Sequence, residues 1–172
     1  MIDRLKIDRK FVPLLATFGV FALLYLYGFL EYKGMRQPQA FFNLFINNGF
    51  LLITSVGMTF VILTEGIDLS VGAVIALTSV ASAALLENLG MSPLLVIPLM
   101  LLMGTLFGGT MGAIIHFFKV QPFIVTLAGM FFARGMCFFI SLDAIPIHDP
   151  FYRTMALSRI QLPFFERAFL SL

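Results

Sequence analysis

The sequence predicts an all-α fold: a polytopic bundle of about five transmembrane helices with the N-terminus on the cytoplasmic side. Three observations carry this. Of 172 residues, 60% are hydrophobic and only 12% charged, where soluble domains carry about 25% charged residues. Apolar runs long enough to cross a hydrocarbon core of roughly 30 Å recur along the chain. Basic residues crowd the start: Arg4, Lys6, Arg9 and Lys10 precede the first run. The mean hydropathy of +1.00 leaves little sequence for a soluble domain. We therefore read residues 1–172 as one transmembrane domain.

The first run covers residues 11–30. It is longer than a signal-peptide core and ends at Glu31-Tyr32-Lys33 without a small-residue cleavage pattern, so it reads as an uncleaved helix. The second, 44–63, lies between the breaks at Gln37-Pro38 and Glu65-Gly66. The third, 69–86, is short and begins polar; it enters the membrane incompletely or lines a cavity. The fourth, 94–118, and the fifth, 123–140, follow the proline-bearing breaks 87–93 and 119–122. Proline restricts the residue before it and so favours a boundary there.

The short-loop basic residues set the orientation. A cytoplasmic N-terminus places the N-terminal cluster and Lys119 inside and leaves only Lys33 and Arg36 in the outer short loops. Arg153, Arg159 and Arg167 in the tail then lie outside and oppose this assignment. Residues 151–172 mix those arginines with Phe151, Tyr152, Phe164, Phe165 and Phe169 without building a span. They read as an interfacial amphipathic segment or as the approach to a further helix.

Composition also excludes functions. A net charge of +2 with scattered basic residues does not suit nucleic acid. Cys137 is the single cysteine, and His116 and His148 stand far apart, so neither a metal site nor a metal cofactor is expected. The sequence lacks a G-x-x-x-x-G-K-[ST] phosphate loop, so ATP hydrolysis would belong to another subunit. No catalytic constellation appears, and the chain is not read as an enzyme.

The polar residues inside apolar runs are the candidates for function. Asn48, Ser55 and Thr59 fall near one face of the second run. They read either as a polar wall along a solute route or as hydroxyls and amides satisfied locally or between helices. Asp68, with Ser70 and Val71 after it, reads as a helix cap or as a gate, with Gly66 supplying backbone freedom. Arg134 interrupts the fifth run and is expected in a structural ion pair, the alternative being a contact to an anion or a sugar. Gly104, Gly108 and Gly112 recur every four residues and are expected to pack against another helix, in this chain or in a second subunit.

The stretch Gly66-Ile-Asp-Leu-Ser-Val-Gly72 closely resembles a signature of permease subunits of ribose-type ABC sugar importers. A second stretch, Gln121-Pro-Phe-Ile-Val-Thr-Leu-Ala-Gly-Met-Phe-Phe-Ala-Arg-Gly135, is similar to another recognisable segment of that family. Ser92-Pro-Leu-Leu and Ile145-Pro-Ile-His-Asp-Pro150 resemble its galactofuranose-importing members. The resemblance implies a multi-pass permease of the bacterial inner membrane that works by alternating access. It implies a second permease subunit, a cytoplasmic ATP-binding subunit and a periplasmic sugar-binding protein as partners, in addition to membrane lipid. The family usually carries Gly-Gly where this chain has Glu65-Gly66, and its members run to nearly twice this length. The expectation is therefore an N-terminal portion of a sugar permease; the alternative is a short, non-transporting membrane protein that packs with another permease.

Overall fold

A computed structural model describes residues 11–157, 159–161 and 169–171, with side chains described as far as residue 155. The described residues form two compact units: one runs to Asn47 and also takes in the tail residues 159–161 and 169–170, and the other begins at Asn48. The chain is helical apart from two three-residue strands in the tail, Arg159–Gln161 (β1) and Phe169–Ser171 (β2), which pair with each other. Phe164, Phe165 and Arg167 of the tail lie outside the described residues.

In the first unit, α1 (Val12–Glu31) begins with proline in its first turn, where the missing N–H costs nothing. Its 20 residues give a length of about 30 Å at 1.5 Å per residue. It is apolar all round, with Phe18, Leu23 and Leu24 among its exposed side chains, the pattern of a helix surrounded by hydrocarbon. Arg36 closes it: Nε and Nη2 donate to the carbonyls of Phe29 and Leu30 at 3.1 and 2.8 Å, relieving orphan acceptors of the last turn. Gly28 lets the following 3₁₀ turn (Lys33–Arg36) fold back, since a Cβ there would lie 2.5 Å from Met35 Sδ. Helix α2 (Pro38–Asn47) follows.

The second unit opens at a break that the hydropathy pattern did not reveal. The expected span 44–63 is divided between α2 and α3 (Gly49–Leu63), with Asn48 non-helical at φ −115°, ψ 15°. Asn47-Asn48-Gly49 is a run of poor helix formers. The Asn48 carbonyl starts the new helix by accepting from Leu51 and Leu52 at 3.0 and 3.2 Å. Helix α4 (Val71–Ala83) continues into a wider π turn at Ala84–Asn88, and α5 (Pro93–Phe118) and α6 (Pro122–Ile140) match the expected fourth and fifth spans. A short helix, α7 (Pro150–Leu157), begins at Asp149, whose Oδ1 accepts from the N–H groups of Phe151 and Tyr152 at 2.8 and 3.3 Å. Among the described residues four helices are long and apolar enough to cross a membrane, or up to five if α2 and α3 form one broken span.

Helix α4 is the hub of this unit, lying most extensively against α6 and then against α5. Ala73, Leu77 and Ala81, spaced by four, form its buried face. Ala73 and Leu77 meet Ala133 of α6, and Met103, Phe107, Met130 and Cys137 pack around them. Small residues at the centre let the two backbones approach closely, which is how helices associate where lipid supplies no hydrophobic push.

Candidate functional site

The most organised polar structure in the second unit is the connection from α3 to α4. Helix α3 ends with the Gly66 N–H donating to the Val61 carbonyl and the Glu65 N–H to the Ile62 carbonyl, both at 2.9 Å. These are the two bonds of a Schellman motif, with Glu65 at the position that glycine usually fills. Glu65 accordingly has φ +56°, a conformation that costs an L residue about 1–2 kcal/mol. Gly66 follows under tight constraint, since a Cβ on it would lie 3.2 Å from the Val61 carbonyl oxygen.

Beyond Gly66 the chain is held by side chains. Thr126 Oγ1 of α6 donates to the Ile67 carbonyl at 3.1 Å, fixing the connection to a helix 59 positions away. Asp68 Oδ1 accepts from both the N–H and the hydroxyl of Ser70, at 2.8 and 2.6 Å. Ser70 and Thr126 are almost fully buried, at 1% and 4% exposure. The cap expectation for Asp68 is therefore corrected in detail. Ser70, not Asp68, is the N-cap residue of α4, and it makes no side-chain capping bond because its hydroxyl is turned to the carboxylate. Asp68 instead builds an Asx-type turn one step before the helix.

A cleft of about 340 Å³ opens beside this turn, lined by Thr64, Asp68, Gly108, Gly112, Pro122 and Thr126 among others. Asp68 is half-buried there. Gly108 and Gly112 answer the packing expectation differently from its intramolecular form. A Cβ at Gly104, Gly108 or Gly112 would meet nothing within 4 Å, so among the described residues the ladder packs against no helix. The glycine that does permit close approach is Gly129 of α6, where a Cβ would collide with Met111 Sδ of α5. Its sequence signal was weak, a lone glycine without a repeat.

The other candidates are not gathered at this turn. Asn48, just before α3, and Ser55 and Thr59 on it are exposed. Ser55 Oγ donates to the Leu52 carbonyl at 2.7 Å and Thr59 Oγ1 to the Ser55 carbonyl at 2.8 Å. Their hydroxyl protons are thus satisfied by their own helix. Arg134 is exposed on α6 and makes no ion pair among the described residues, so the expected structural pairing is absent there. No group of three or more His, Cys, Asp or Glu capable of holding a metal ion occurs among the described residues.

A polar contact that sequence reading missed closes the other end of α4. Glu87 Oε1 accepts the His148 N–H at 2.6 Å, and Oε2 lies 3.2 Å from His148 Nδ1. The two residues are 61 positions apart. Only the tendency of isolated charged groups near spans to find partners hinted at it.

The two motif stretches singled out in the sequence, 66–72 and 121–135, are thus in contact through Thr126 and Ile67, and Ala73, the residue after the first stretch, packs with Ala133 of the second. Comparison with known proteins agrees with that reading of the motifs. The chain is 46% identical over 155 residues to an inner membrane ABC transporter permease protein, YjfF, of Escherichia coli K12, covering 90% of this chain and 47% of that protein. It is 42% identical over 140 residues to the fructose import permease protein FruG of Bifidobacterium longum, covering 81% of this chain and 41% of that one. It is 50% identical over 99 residues to the ribose import permease protein RbsC of Haemophilus influenzae, covering 58% and 30%. The chain therefore spans about half the length, or less, of these relatives. No solved structure matches it. Residues 40–162 match the family described as branched-chain amino acid transport system / permease component, and on that match the chain belongs to this family of membrane permeases.

Proposed function

We propose that this chain forms part of the membrane-spanning subunit of an ATP-driven sugar importer of the bacterial inner membrane. Its cargo in this reading is galactofuranose or a related monosaccharide. The subunit works with a second permease subunit, a cytoplasmic ATP-binding subunit and a periplasmic sugar-binding protein, and its N-terminus faces the cytoplasm. One observation above all supports the reading: relatives named as fructose and ribose import permeases are 42% and 50% identical to this chain over 140 and 99 residues. An irregular, polar backbone segment between membrane helices is tolerated where it is buried in protein or lines a cavity, and this one lines a cleft and buries Ser70 at its end.

Within that function the turn acts as a fixed joint. Thr126 ties the Ile67 carbonyl to α6, and Asp68 braces Ser70 at the start of α4, so that α4 and α6 move as one body when the importer alternates its access. The exposed Asn48 just before α3, Ser55 and Thr59 of α3 and the exposed Arg134 of α6 are the proposed lining of the sugar route. The test is uptake of radiolabelled galactofuranose, ribose and fructose by cells carrying the importer that contains this segment. Energy-dependent accumulation of one of these sugars, reduced by Asn48→Leu without loss of assembled protein, is the expected result. Assembly of the importer with no accumulation of any sugar overturns the proposal.

A further inference from the structure

We propose that the cleft beside Asp68 is a contact site for a neutral polyhydroxylated ligand, in which the second carboxylate oxygen of Asp68 accepts hydrogen bonds from vicinal hydroxyls. The inference rests on the sugar-importer reading for its ligand class, and it assigns that ligand a site. The turn before α4 uses only Oδ1, which takes both the N–H and the hydroxyl of Ser70. An asparagine would supply the same acceptor without the cost of a charge. Oδ2 accepts no bond among the described residues, and Asp68 is half-buried and lines the cleft. The negative charge and the second oxygen are surplus to the turn.

The lining narrows the ligand. The cleft volume of about 340 Å³ lies near the lower end of the roughly 300–1,000 Å³ usual for small-molecule sites. Thr64 and Thr126 present hydroxyl oxygens whose protons are already given to backbone carbonyls, so they remain as acceptors. Ile67, Met111, Ile115 and Pro122 supply apolar wall. Three acceptors and no cationic donor suit a neutral ligand rich in O–H groups with an apolar C–H face. A phosphorylated or carboxylated solute would be repelled by the carboxylate. A divalent cation would find a single carboxylate, short of the six to eight oxygens that Ca²⁺ takes. No aromatic ring lines the cleft, so the contact is weak, which suits a position that a solute must also leave.

The experiment reads protection from labelling in membranes containing the assembled importer. In a Cys137→Ala background, Gly112→Cys places a thiol in the cleft, where an added Cβ meets nothing. Asn88→Cys, exposed at the far end of α4, serves as the control. D-ribose, D-fructose and D-galactose are the probes against a water-soluble maleimide. At about four times its Kd, the recognised sugar should slow labelling of Gly112→Cys about fivefold by simple occupancy and leave Asn88→Cys unchanged. Asp68→Asn, which keeps the Oδ1 acceptor, should abolish that protection. If Gly112→Cys fails to assemble, Gly108→Cys, also facing open space, reports instead. Absence of protection by all three sugars overturns the site, as does protection that survives Asp68→Asn. Uptake by the unaltered importer is measured in parallel. Uptake without protection removes this site and leaves the importer reading standing, whereas an assembled importer that accumulates none of the sugars overturns the importer reading.

Discussion

Helix α3 and the turn that follows it carry similar polar residues in adjacent stretches of chain, yet the fold treats them in opposite ways. On α3, Ser55 and Thr59 are exposed, and their hydroxyls return to their own backbone three and four residues earlier. In the turn, Ser70 is buried and bonded to Asp68, and the Ile67 carbonyl is claimed by Thr126 from another helix. A helical hydroxyl always has a carbonyl within reach one turn back. A turn has none, so its polar groups must be satisfied by side chains or by neighbouring elements. Polar residues in the helix are thus available for a solute without consequence for the fold, whereas those in the turn hold the fold together.

The largest effect should come from the apolar contact that backs the turn. Ala133 is fully buried against Ala73 and Leu77. Ala133→Leu should push α4 from α6 and destabilise the unit by about 3 kcal/mol, seen as a large fall in melting temperature in detergent. Asp68→Ala comes next. It strips the acceptor from the buried N–H and hydroxyl of Ser70, a loss of about 2 kcal/mol; Asp68→Asn should restore most of it. If Asp68→Ala melts with the parent protein, the turn is not the structural element described above.

Smaller changes sharpen the contrast. Thr126→Val keeps shape and removes the bond to Ile67, for a loss of about 1 kcal/mol, and should speed hydrogen exchange at the start of α4 more than on α3. Glu65→Gly should work in the other direction. It relieves the left-handed residue at the end of α3 and, after glycine's greater loss of chain entropy, should stabilise by about 0.5–1 kcal/mol. No gain in melting temperature would mean that the Glu65 side chain makes a compensating contact. Ser55→Ala and Thr59→Val should fall within about 0.5 kcal/mol of the parent. A loss comparable to that of Asp68→Ala would erase the distinction between the two regions.

Several elements were legible in the chain because their causes are local. Proline after Ser92 and after Gln121 set the starts of α5 and α6 at Pro93 and Pro122, within one residue of the expected boundaries. The break at Asn48 was not legible by hydropathy, since α2 and α3 are both apolar; only the poor helix formers at 47–49 mark it. At the site, Asp68 stood out because a carboxylate among apolar residues is costly and conspicuous. Thr126 did not, because a threonine in an apolar helix commonly bonds to its own turn, and here it does that as well.

The sequence by itself determined the class: helix lengths follow from apolar run length and the starts of α5 and α6 from proline. Tertiary structure alone decided which small residues pack and which polar groups matter. Gly129 is closed off by Met111 while Gly108 and Gly112 stay open, and Thr126 rather than Thr59 reaches another element. Composition and spacing fix what a residue can offer. Whether the offer is taken depends on which surface arrives opposite it, and that is set by how α4, α5 and α6 come together.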